Sequence, residues 1–284
     1  MIDEKLLTEV WEDLENSDKP ILKTGFEDID TIMGLTDGKG ALVTIGARPA
    51  MGKTTFALSV LENILKQNKK VLIFSLEMSD VQIVKKILLM SAEIDAQKAK
   101  LGELGASDFI KLAEKLEIIS GWDLSVDDTP CITVEQIEEK IKEVKPEIVF
   151  IDYLQLISGN KKKDRYSQVE DICVNLKRIT KENSVIIFVT SQLSRAVESR
   201  CDKRPLLSDL RESGAIENVS DVVIFLYRDE YYYSCDEDVL RKKGETEVIV
   251  AKNKFGYCGT AHLLLRASVP KFYPELRSEH FDVF

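Results

Sequence analysis

A glycine-containing loop between an apolar run and an amphipathic segment constrains this chain more than any other feature. The loop reads GARPAMGKT from Gly46 to Thr54; it follows the apolar run 41–45 and precedes the segment 55–66, whose apolar residues recur at helical spacing. Glycines in such a strand–loop–helix unit let successive backbone N–H groups surround a polyphosphate, and the helix N-terminus adds its positive end. The sequence therefore predicts a phosphate-binding loop that holds a nucleoside triphosphate.

Two side chains of this loop have distinct predicted roles. We expect Lys53 to reach the outer phosphates and the hydroxyl of Thr54 to complete a Mg²⁺ shell. The nucleotide-binding set predicted from the loop is Gly46, Ala50, Met51, Gly52, Lys53, Thr54 and Thr55.

Composition places the chain among folded proteins and disfavours several classes. Of its 284 residues, 44% are apolar and 31% are charged, and no apolar run approaches the ~20 residues that span a bilayer. The N-terminus lacks the basic-then-apolar layout of a signal peptide, so we expect a cytoplasmic location and no membrane partner. Five cysteines lie far apart without a C-x-x-C pair, which favours reduced thiols over a disulfide framework or a zinc site.

Net charge says little about a nucleic-acid partner. The formal net charge of −10 disfavours such a partner, but net charge is a poor guide when binding is confined to one channel. Basic residues cluster at 161–165, which includes Lys163 and Arg165, and again at 195–204. Each cluster taken alone is typical of a solvated loop.

The chain divides into a short N-terminal segment and one large domain. Residues 3–15 carry an amphipathic helix pattern that is broken at 16–20. We therefore predict a linker-type helix over 1–19 and one domain over 20–284. The apolar stripe of this helix can be buried on its own domain or on a neighbouring subunit, and the sequence leaves both alternatives open.

From residue 21 onward, strand and helix patterns alternate. Apolar runs rich in β-branched residues, at 71–74, 148–151 and 185–189, are typical of parallel strands covered on both faces. The predicted strands are 41–46, 71–75, 116–119, 147–151, 185–190 and 221–227, and the predicted helices are 55–67, 80–92, 107–115, 133–144 and 167–182. Closer spacing near 246–252 and 261–266 indicates antiparallel strands. The expected fold class is α/β, a doubly wound and mainly parallel sheet with an antiparallel C-terminal extension.

Two acids and an amide occur where three predicted strands end. Glu77 comes shortly after the strand 71–75, Asp152 directly after 147–151, and Gln192 after 185–190. Ligands of open α/β sheets sit beyond the carboxyl ends of the strands, so these side chains should face the phosphate loop. We predict that Asp152 holds Mg²⁺, that Glu77 accepts a proton from an attacking water, and that Gln192 senses the terminal phosphate.

Several motifs together carry a resemblance to a known family. GARPAMGKTTFA, FSLEMS, IDYLQL, TSQLSRAVESR, RPLLSDLRESGAIE and KNKFG occur in the order and wording of the DnaB-type replicative DNA helicases. The resemblance covers residues 20–270, the motor portion of that family. It implies a RecA-like P-loop NTPase, assembled as a hexameric ring, that uses ATP to move along single-stranded DNA. It further implies nucleotide-site positions at Lys53, Thr54, Glu77, Asp152 and Gln192.

The same resemblance implies a DNA-contacting loop. The RESG segment matches the loop that lines the central channel in that family, so Arg211, Glu212 and Gly214 are predicted to contact DNA. An arginine suits a phosphate, and a glycine lets backbone amides approach it closely. The basic cluster with Lys163 and Arg165 is predicted to form a second channel loop. Sequence-blind phosphate contacts suit a protein that moves along a strand.

The chain departs from the family pattern at two positions where the family has arginine. The family supplies an arginine finger from the adjacent subunit, two residues after a lysine on a late strand. Lys252 matches that lysine and is predicted to contact nucleotide, but the finger position holds Lys254. Because lysine supplies charge without the planar fork of arginine, we expect weaker but not absent hydrolysis. Lys86 also replaces a usual arginine near the nucleotide, and an exposed helix lysine is the alternative interpretation.

A further departure concerns the N-terminus. Family members commonly carry a separate N-terminal domain that engages primase, whereas this chain has only the helix pattern at 3–15. We expect either a trimmed motor or a naturally short version, and we leave coupling to a primase or a loader open.

The leading hypothesis is an ATP-dependent DNA helicase motor, and two alternatives remain beside it. A RecA-like ATPase of the recombinase or clock-kinase type would not need the RESG segment. A nucleotide-dependent helicase adaptor with weak turnover is the other alternative, and Lys254 is the feature that keeps it open.

Overall fold

The computed structural model describes residues 22–36, 38–210, 214–233 and 243–275, with positions 3, 7, 8 and 11 and the backbone of 282–283. The predicted helix over 3–15 therefore lies almost wholly outside the described residues. Two members of the predicted DNA loop, Arg211 and Glu212, lie outside them as well.

Within the described ranges, strands and helices alternate along the chain. The strands are β1 (Ala41–Ala47), β2 (Val71–Ser75), β3 (Leu124–Asp127), β4 (Ile148–Asp152), β5 (Ile186–Gln192), β6 (Val222–Tyr227), β7 (Glu245–Asn253), β8 (Gly259–Arg266), β9 (Lys271–Pro274) and β10 (Asp282–Val283). The helices are α1 (Glu27–Met33), α2 (Lys53–Leu65), α3 (Asp80–Ser91), α4 (Ala96–Leu101), α5 (Ala106–Ser120), α6 (Val134–Val144), α7 (Arg165–Glu182), α8 (Gly214–Val219) and α9 (Asp229–Tyr232). None of the helices in these ranges has both the length and the apolar character needed to cross a bilayer.

The described strands form one mixed sheet. Its order is β10-β8-β7-β6-β1-β5-β4-β2-β3, and β9 pairs with β8 off this path. The strands from β3 to β6 in this order run parallel, whereas β7 to β10 pair in antiparallel fashion. The predicted doubly wound sheet with an antiparallel C-terminal extension is confirmed. Its central strand, β1, lies between β5 and β6, and its carboxyl end leads directly into the phosphate loop.

The central strands are buried on both faces because their side chains alternate between two apolar layers. Val43 and Phe150 belong to the layer that contains the apolar face of α2. Their neighbours Leu42 and Val149 belong to the opposite layer, which contains α6 and α7. In the first layer the rings of Phe150 and Phe188 stack with centroids 5.0 Å apart. This two-sided burial explains the uninterrupted apolar runs of the sequence.

The prediction of a strand at 116–119 is wrong. Those residues form the end of α5, and the edge strand β3 lies at Leu124–Asp127, paired in parallel with β2. A short apolar run fits a helix as well as a strand, and here the side chains of Leu116 and Ile118 are exposed. The true edge strand is only half-buried, so its apolar signal in the sequence is weak. Helices α1 and α4 are further elements that the patterns do not predict.

Candidate nucleotide site

A cavity of about 560 Å³ opens at the carboxyl edge of the sheet, above the phosphate loop. It brings together predicted site residues that are distant in sequence. The cavity is lined by Ala50, Gly52, Lys53, Thr54, Thr55, Glu77, Lys86 and Gln192, with Arg48, Pro49, Tyr153, Leu265, Ala267 and Pro270 completing it. A single cavity therefore contains residues following β1, β2, β4 and β5, as the rule for open α/β sheets requires.

The two loop glycines are needed for different physical reasons. Gly52, directly before α2, has a φ of +93°, in the left-handed region that favours glycine. Gly46 lies within β1, where an added Cβ would come within 2.8 Å of the Phe225 ring and 3.0 Å of Leu193. Gly46 is therefore a packing requirement of the core beneath the loop. Met51 is buried in the other apolar layer, which contains α2, and its side chain does not line the cavity.

The Asp152 carboxylate is held by hydroxyl groups on both of its oxygens. Thr54 Oγ1 donates to Asp152 Oδ2 at 2.6 Å, and Thr190 Oγ1 donates to Asp152 Oδ1 at 2.5 Å. Asp152 is buried at the end of β4, and Thr190 lies on the neighbouring strand β5. Carboxylate and hydroxyl oxygens are ligands that Mg²⁺ prefers, so Thr54 and Asp152 fit the ion predicted for them. Thr190 is a member of this arrangement that the sequence patterns did not single out.

Two lysines with lowered pKa values face this carboxylate. Burial disfavours the charged form of Lys53 and lowers its pKa, although the charges of Asp152 and Glu77 partly oppose this effect. Burial likewise lowers the pKa of Lys86, and the charges of Asp152 and Glu77 again partly oppose this effect. Partly desolvated ammonium groups in a cavity are suited to an anionic ligand, whose charge stabilises the protonated form. Lys86 is therefore part of the site and is not an exposed helix lysine.

Tyr153 is a site residue that the sequence analysis did not identify. The Lys53 ammonium lies 5.0 Å from the centroid of its ring, within the range of a cation–π contact. Burial, followed by the charges of Glu77 and Asp152, raises the pKa of the Tyr153 hydroxyl. The only available sequence signal was its position next to the predicted metal ligand.

Gln192 is joined to the loop after β4 through another glutamine. Gln155 Nε2 donates to Ser191 Oγ at 2.9 Å, and the Gln192 backbone N–H donates to Gln155 Oε1 at 3.4 Å. Arg165, at the start of α7, donates from its guanidinium to the Gln155 carbonyl oxygen at 2.8 Å. The end of β5 and the basic segment are thus connected through one residue, Gln155, by its side chain on one side and its backbone carbonyl on the other.

Arg48 stabilises the phosphate loop through contacts with the segment after β5. Its guanidinium donates twice to Glu198 Oε1, at 2.6 and 2.9 Å, and once to the Leu193 carbonyl oxygen at 2.9 Å. Arg48 is buried, so these contacts tie the phosphate loop to the segment after β5. No local pattern identifies this role, because Glu198 is 150 residues away in the sequence.

The predicted DNA residues that are described lie next to one another. A Cβ added to Gly214 would lie 3.1 Å from the hydroxyl of Tyr166, which follows Arg165 in α7. The start of α8 is therefore adjacent to the basic segment. Lys163 is exposed and pairs with Asp171 at 2.6 Å. The structure brings the two predicted DNA segments together, and their contact with DNA stays a prediction.

The structure does not bring Lys252 and Lys254 to the cavity of their own chain. Lys252 Nζ donates to the carbonyl oxygens of Glu217 and Asn218, the latter at 3.2 Å, near the end of α8. Lys254 follows β7, at the level of the amino end of β6, whereas the phosphate loop follows the carboxyl end of β1. With strands rising ~3.3 Å per residue, these two edges are roughly 20 Å apart. A role for Lys254 in hydrolysis therefore requires the nucleotide of another chain.

A phosphate loop at the switch point of a doubly wound sheet, with a strand-end acid bonded to the loop threonine, defines a P-loop NTPase of the RecA-like fold. The sequence pattern of the DnaB-like helicase C terminal domain matches residues 22–274. The chain belongs to this family.

Individual relatives support the same conclusion. The replicative DNA helicase DnaB of Geobacillus stearothermophilus is 40% identical over 281 residues, covering 94% of this chain and 60% of that protein. The replicative DNA helicase DnaC of Bacillus subtilis (strain 168) is 41% identical over 260 residues, covering 88% of this chain and 56% of that protein. The chain thus spans little more than half the length of these relatives.

Solved structures show the same fold. One described as the ATPase Domain of G40P has a TM-score of 0.89 and 35% identity, and the match covers 96% of this chain and 98% of that one. A DnaB-like replicative helicase, solved to show its interactions with primase, has a TM-score of 0.87 and 35% identity, with 97% and 67% covered.

Proposed function

We propose that this chain is the ATP-driven motor of a DnaB-type DNA helicase. The observation that carries the proposal is the cavity lined by Lys53, Thr54, Glu77 and Gln192 at the edge of a family-typical RecA-like sheet, with the buried Asp152 bonded to Thr54. Each residue type fits a step of phosphoryl transfer, and a structural nucleotide site would not need an exposed carboxylate beside the phosphate loop.

The residues of the chain account for binding and for proton transfer. Lys53 and the loop N–H groups bind the β- and γ-phosphates, and Lys86 adds a second positive charge. Thr54 and Asp152 would hold Mg²⁺, which would neutralise negative charge on the phosphates. Glu77 is exposed to solvent within the cavity, so it can orient a water and accept its proton. Gln192, at the end of β5, contacts the terminal phosphate.

The position of Lys254 supports the proposal of a ring assembly. This side chain cannot serve its own nucleotide, but it can complete the site of a neighbouring copy, where its ammonium stabilises charge in the transition state. Lys252, on the same strand, is proposed to support that neighbouring site. A hexameric ring, as in the family, places these residues at each subunit boundary.

The partner of the ring is proposed to be single-stranded DNA. Arg211, Glu212, Gly214, Lys163 and Arg165 are proposed to line the channel, and the adjacency of α8 to the start of α7 supports one continuous surface. Contacts to phosphates and not to base edges permit movement along any sequence. A primase is a further proposed partner, supported by a structural relative solved to show its interactions with primase.

The test combines turnover with mass. ATP hydrolysis is measured with Mg²⁺, with and without a single-stranded oligonucleotide, and mass is measured by light scattering in the same solutions. We expect stimulation by DNA and a six-fold mass. Glu77→Gln is the matched control, because it should retain ATP binding and assembly while losing hydrolysis. A strictly monomeric protein at every concentration, with ATP analogue and DNA present, would contradict the proposal.

A second candidate is a nucleotide-dependent adaptor with weak turnover, which the lysine at the finger position favours. An adaptor would bind ATP and join a helicase ring without DNA-stimulated hydrolysis. The same measurements separate the two, since only the motor shows stimulated turnover.

A further inference from the structure

Asp221 is a buried acid for which the proposed motor has so far assigned no role. It directly precedes β6, at the edge of the sheet opposite the nucleotide cavity, and its side chain is 4% exposed. Three donors converge on it: the Leu42 N–H at 2.8 Å and Lys177 Nζ at 2.5 Å on Oδ2, and Lys254 Nζ at 3.2 Å on Oδ1. One of these donors is the proposed finger.

The backbone brings the acid and the finger together before any side-chain contact is made. Strand β7 is antiparallel to β6, with Asn253 opposite Val222, and the Lys254 N–H donates to the Asp221 carbonyl oxygen at 3.0 Å. The position of the Lys254 Cα is therefore set by the sheet. Only the flexible stem of the side chain remains to be oriented.

The two lysines that contact Asp221 differ in contact distance and in exposure. Lys177 makes the short contact and is 18% exposed, whereas Lys254 makes the long contact and is 47% exposed. Burial raises the pKa of Asp221, but the Leu42 N–H and the ammonium groups of Lys177 and Lys254 more than offset this, so the acid remains charged. The acid is therefore anchored by Leu42 and Lys177, and Lys254 is the partner that can move.

The local charge balance favours an anion from outside. One carboxylate faces two ammonium groups, and Lys252 adds a third cation close enough to Lys254 to lower its own pKa, after burial as the larger cause. Of these three lysines, Lys254 is the exposed one, whereas Lys177 and Lys252 are partly buried. An anionic group presented by a neighbouring copy, such as the terminal phosphates of its nucleotide, would complement it.

We propose that Asp221 is the positioning residue for Lys254, pairing with the ammonium of this lysine so that it is presented toward the nucleotide of the adjacent copy. The inference rests on the proposed function, in which Lys254 acts across the subunit boundary. A lysine needs such a residue more than an arginine does, because its point charge sits on a flexible stem without a pre-organised fork. Asp221 acts through Lys254 and does not touch the nucleotide.

The test is a double-mutant cycle of Asp221→Asn and Lys254→Ala in the full chain. Asparagine keeps the size of the side chain and an oxygen for the Leu42 N–H, and it removes the charge. We expect Asp221→Asn to lower DNA-stimulated kcat by about tenfold, the scale of one charge-assisted hydrogen bond, with KM for ATP nearly unchanged. In the Lys254→Ala background the same change should have less than about a twofold effect, because the two residues act as a unit. Equal losses in both backgrounds, or no loss in the wild type, would overturn the inference.

A control variant distinguishes a loss of positioning from a general loss of stability. Glu138→Gln removes another acid that pairs with two cations, Lys142 and Arg178, far from the nucleotide cavity. It should leave kcat unchanged, and thermal unfolding midpoints of all variants show whether each protein is folded. A loss of kcat in Glu138→Gln equal to that in Asp221→Asn would overturn the specific role.

A second measurement does not depend on hydrolysis. Amine acylation followed by peptide mass spectrometry reports the reactivity of each lysine in the folded protein, with exposed Lys161 as internal reference. We expect Asp221→Asn to raise the relative reactivity of Lys254 at least about threefold, since its carboxylate partner is lost. Unchanged reactivity of Lys254 would show that Asp221 does not pair with this lysine, and it would overturn the inference. If the wild type lacks turnover while Lys254 reactivity responds to Asp221→Asn, the motor function fails and the positioning contact stands.

Discussion

The hydroxyl of Thr54 donates a 2.6 Å hydrogen bond to the carboxylate of Asp152, although 98 residues separate them in the sequence. One is in the first turn of α2 and the other ends β4, and the sheet brings them to the same edge. The contact joins the phosphate loop to the strand-end acid. It holds together the two oxygens that we propose as Mg²⁺ ligands, and the Thr190 hydroxyl fixes the orientation of the acid from the other side.

The first prediction concerns Thr190. Thr190→Val keeps the shape of the side chain and removes the hydroxyl that orients Asp152. We expect Mg²⁺-dependent ATP hydrolysis to fall by about 10- to 100-fold, the usual cost of losing a group that orients a metal ligand. Thr246→Val is the matched control, because this buried threonine lies in β7 and donates to the Gly244 carbonyl oxygen. Steady-state turnover at several Mg²⁺ concentrations is the measurement, and equal effects of the two variants would contradict the role.

The second prediction concerns the finger. Lys254→Ala should reduce steady-state hydrolysis by about 10³-fold, at the low end for cationic fingers, while ATP binding is retained. Mixing Lys53→Ala subunits, which cannot bind ATP, with Lys254→Ala subunits should restore some turnover, because an intact Lys254 can then face an intact phosphate loop. Wild-type turnover in Lys254→Ala alone would exclude this residue from the mechanism.

The third prediction concerns DNA affinity. Arg211→Ala should lower the slope of log affinity against log salt by about 0.7, the value for one phosphate contact to a single strand. Nucleotide binding should be unchanged. Lys142→Ala is the control, since this exposed lysine of α6 pairs with Glu138 and lies far from α8. Fluorescence anisotropy of a labelled oligonucleotide across a salt series is the measurement; identical slopes for Arg211→Ala and the wild type would refute the assignment.

The fourth prediction concerns the packing beneath the phosphate loop. Gly46→Ala places a methyl group 2.8 Å from the Phe225 ring and 3.0 Å from Leu193, both buried. We expect a loss of about 1–3 kcal/mol in the free energy of unfolding, because neither neighbour can move freely. Gly105→Ala is the control, since its new methyl would meet only Asp108, at 3.9 Å. Urea denaturation is the measurement, and comparable stability of the two variants would contradict the packing argument.

The fifth prediction concerns cysteine chemistry. Burial raises the pKa of Cys173 to about 12, with a smaller contribution from Glu170, whereas Cys131 and Cys201 are exposed. The thiolate is the reactive form, so iodoacetamide should label the two exposed cysteines in the folded protein and leave Cys173 unlabelled. Labelling after denaturation provides the control. Labelling of native Cys173 at the rate of Cys131 would show that this layer of the core opens readily.

Much of the site could be predicted because its residues lie within one short motif or shortly after a predicted strand. Loop residues such as Lys53 and Thr54 are contiguous, and Glu77, Asp152 and Gln192 each follow a recognisable apolar strand. Since parallel strands end at one edge of a sheet, an acid after a strand can be placed without knowing the strand order. The erroneous strand at 116–119 shows the limit of this reasoning, because a short apolar run does not distinguish a helix end from a strand.

Other members of the site depend on contacts that no local pattern records. Arg48 meets Glu198, and Gln155 meets Gln192, only because β1, β5 and β4 are neighbours in the sheet. Lys252 and Lys254 lie in a familiar motif, yet only the register of β7 against β6 shows that they face away from their own nucleotide.

The amino-acid sequence by itself determined the phosphate loop, the alternation of strands and helices, and the strand-end residues. Each of these features depends on a short motif or on the spacing of apolar residues along the chain. Tertiary structure decided which side chains meet: the Thr54–Asp152–Thr190 arrangement, the tie from Gln155 to Gln192, and the contact between Asp221 and Lys254. The physical reason is that strand order and register join residues across long sequence separations, and hydrogen bonds form only where those pairings bring donor and acceptor within reach.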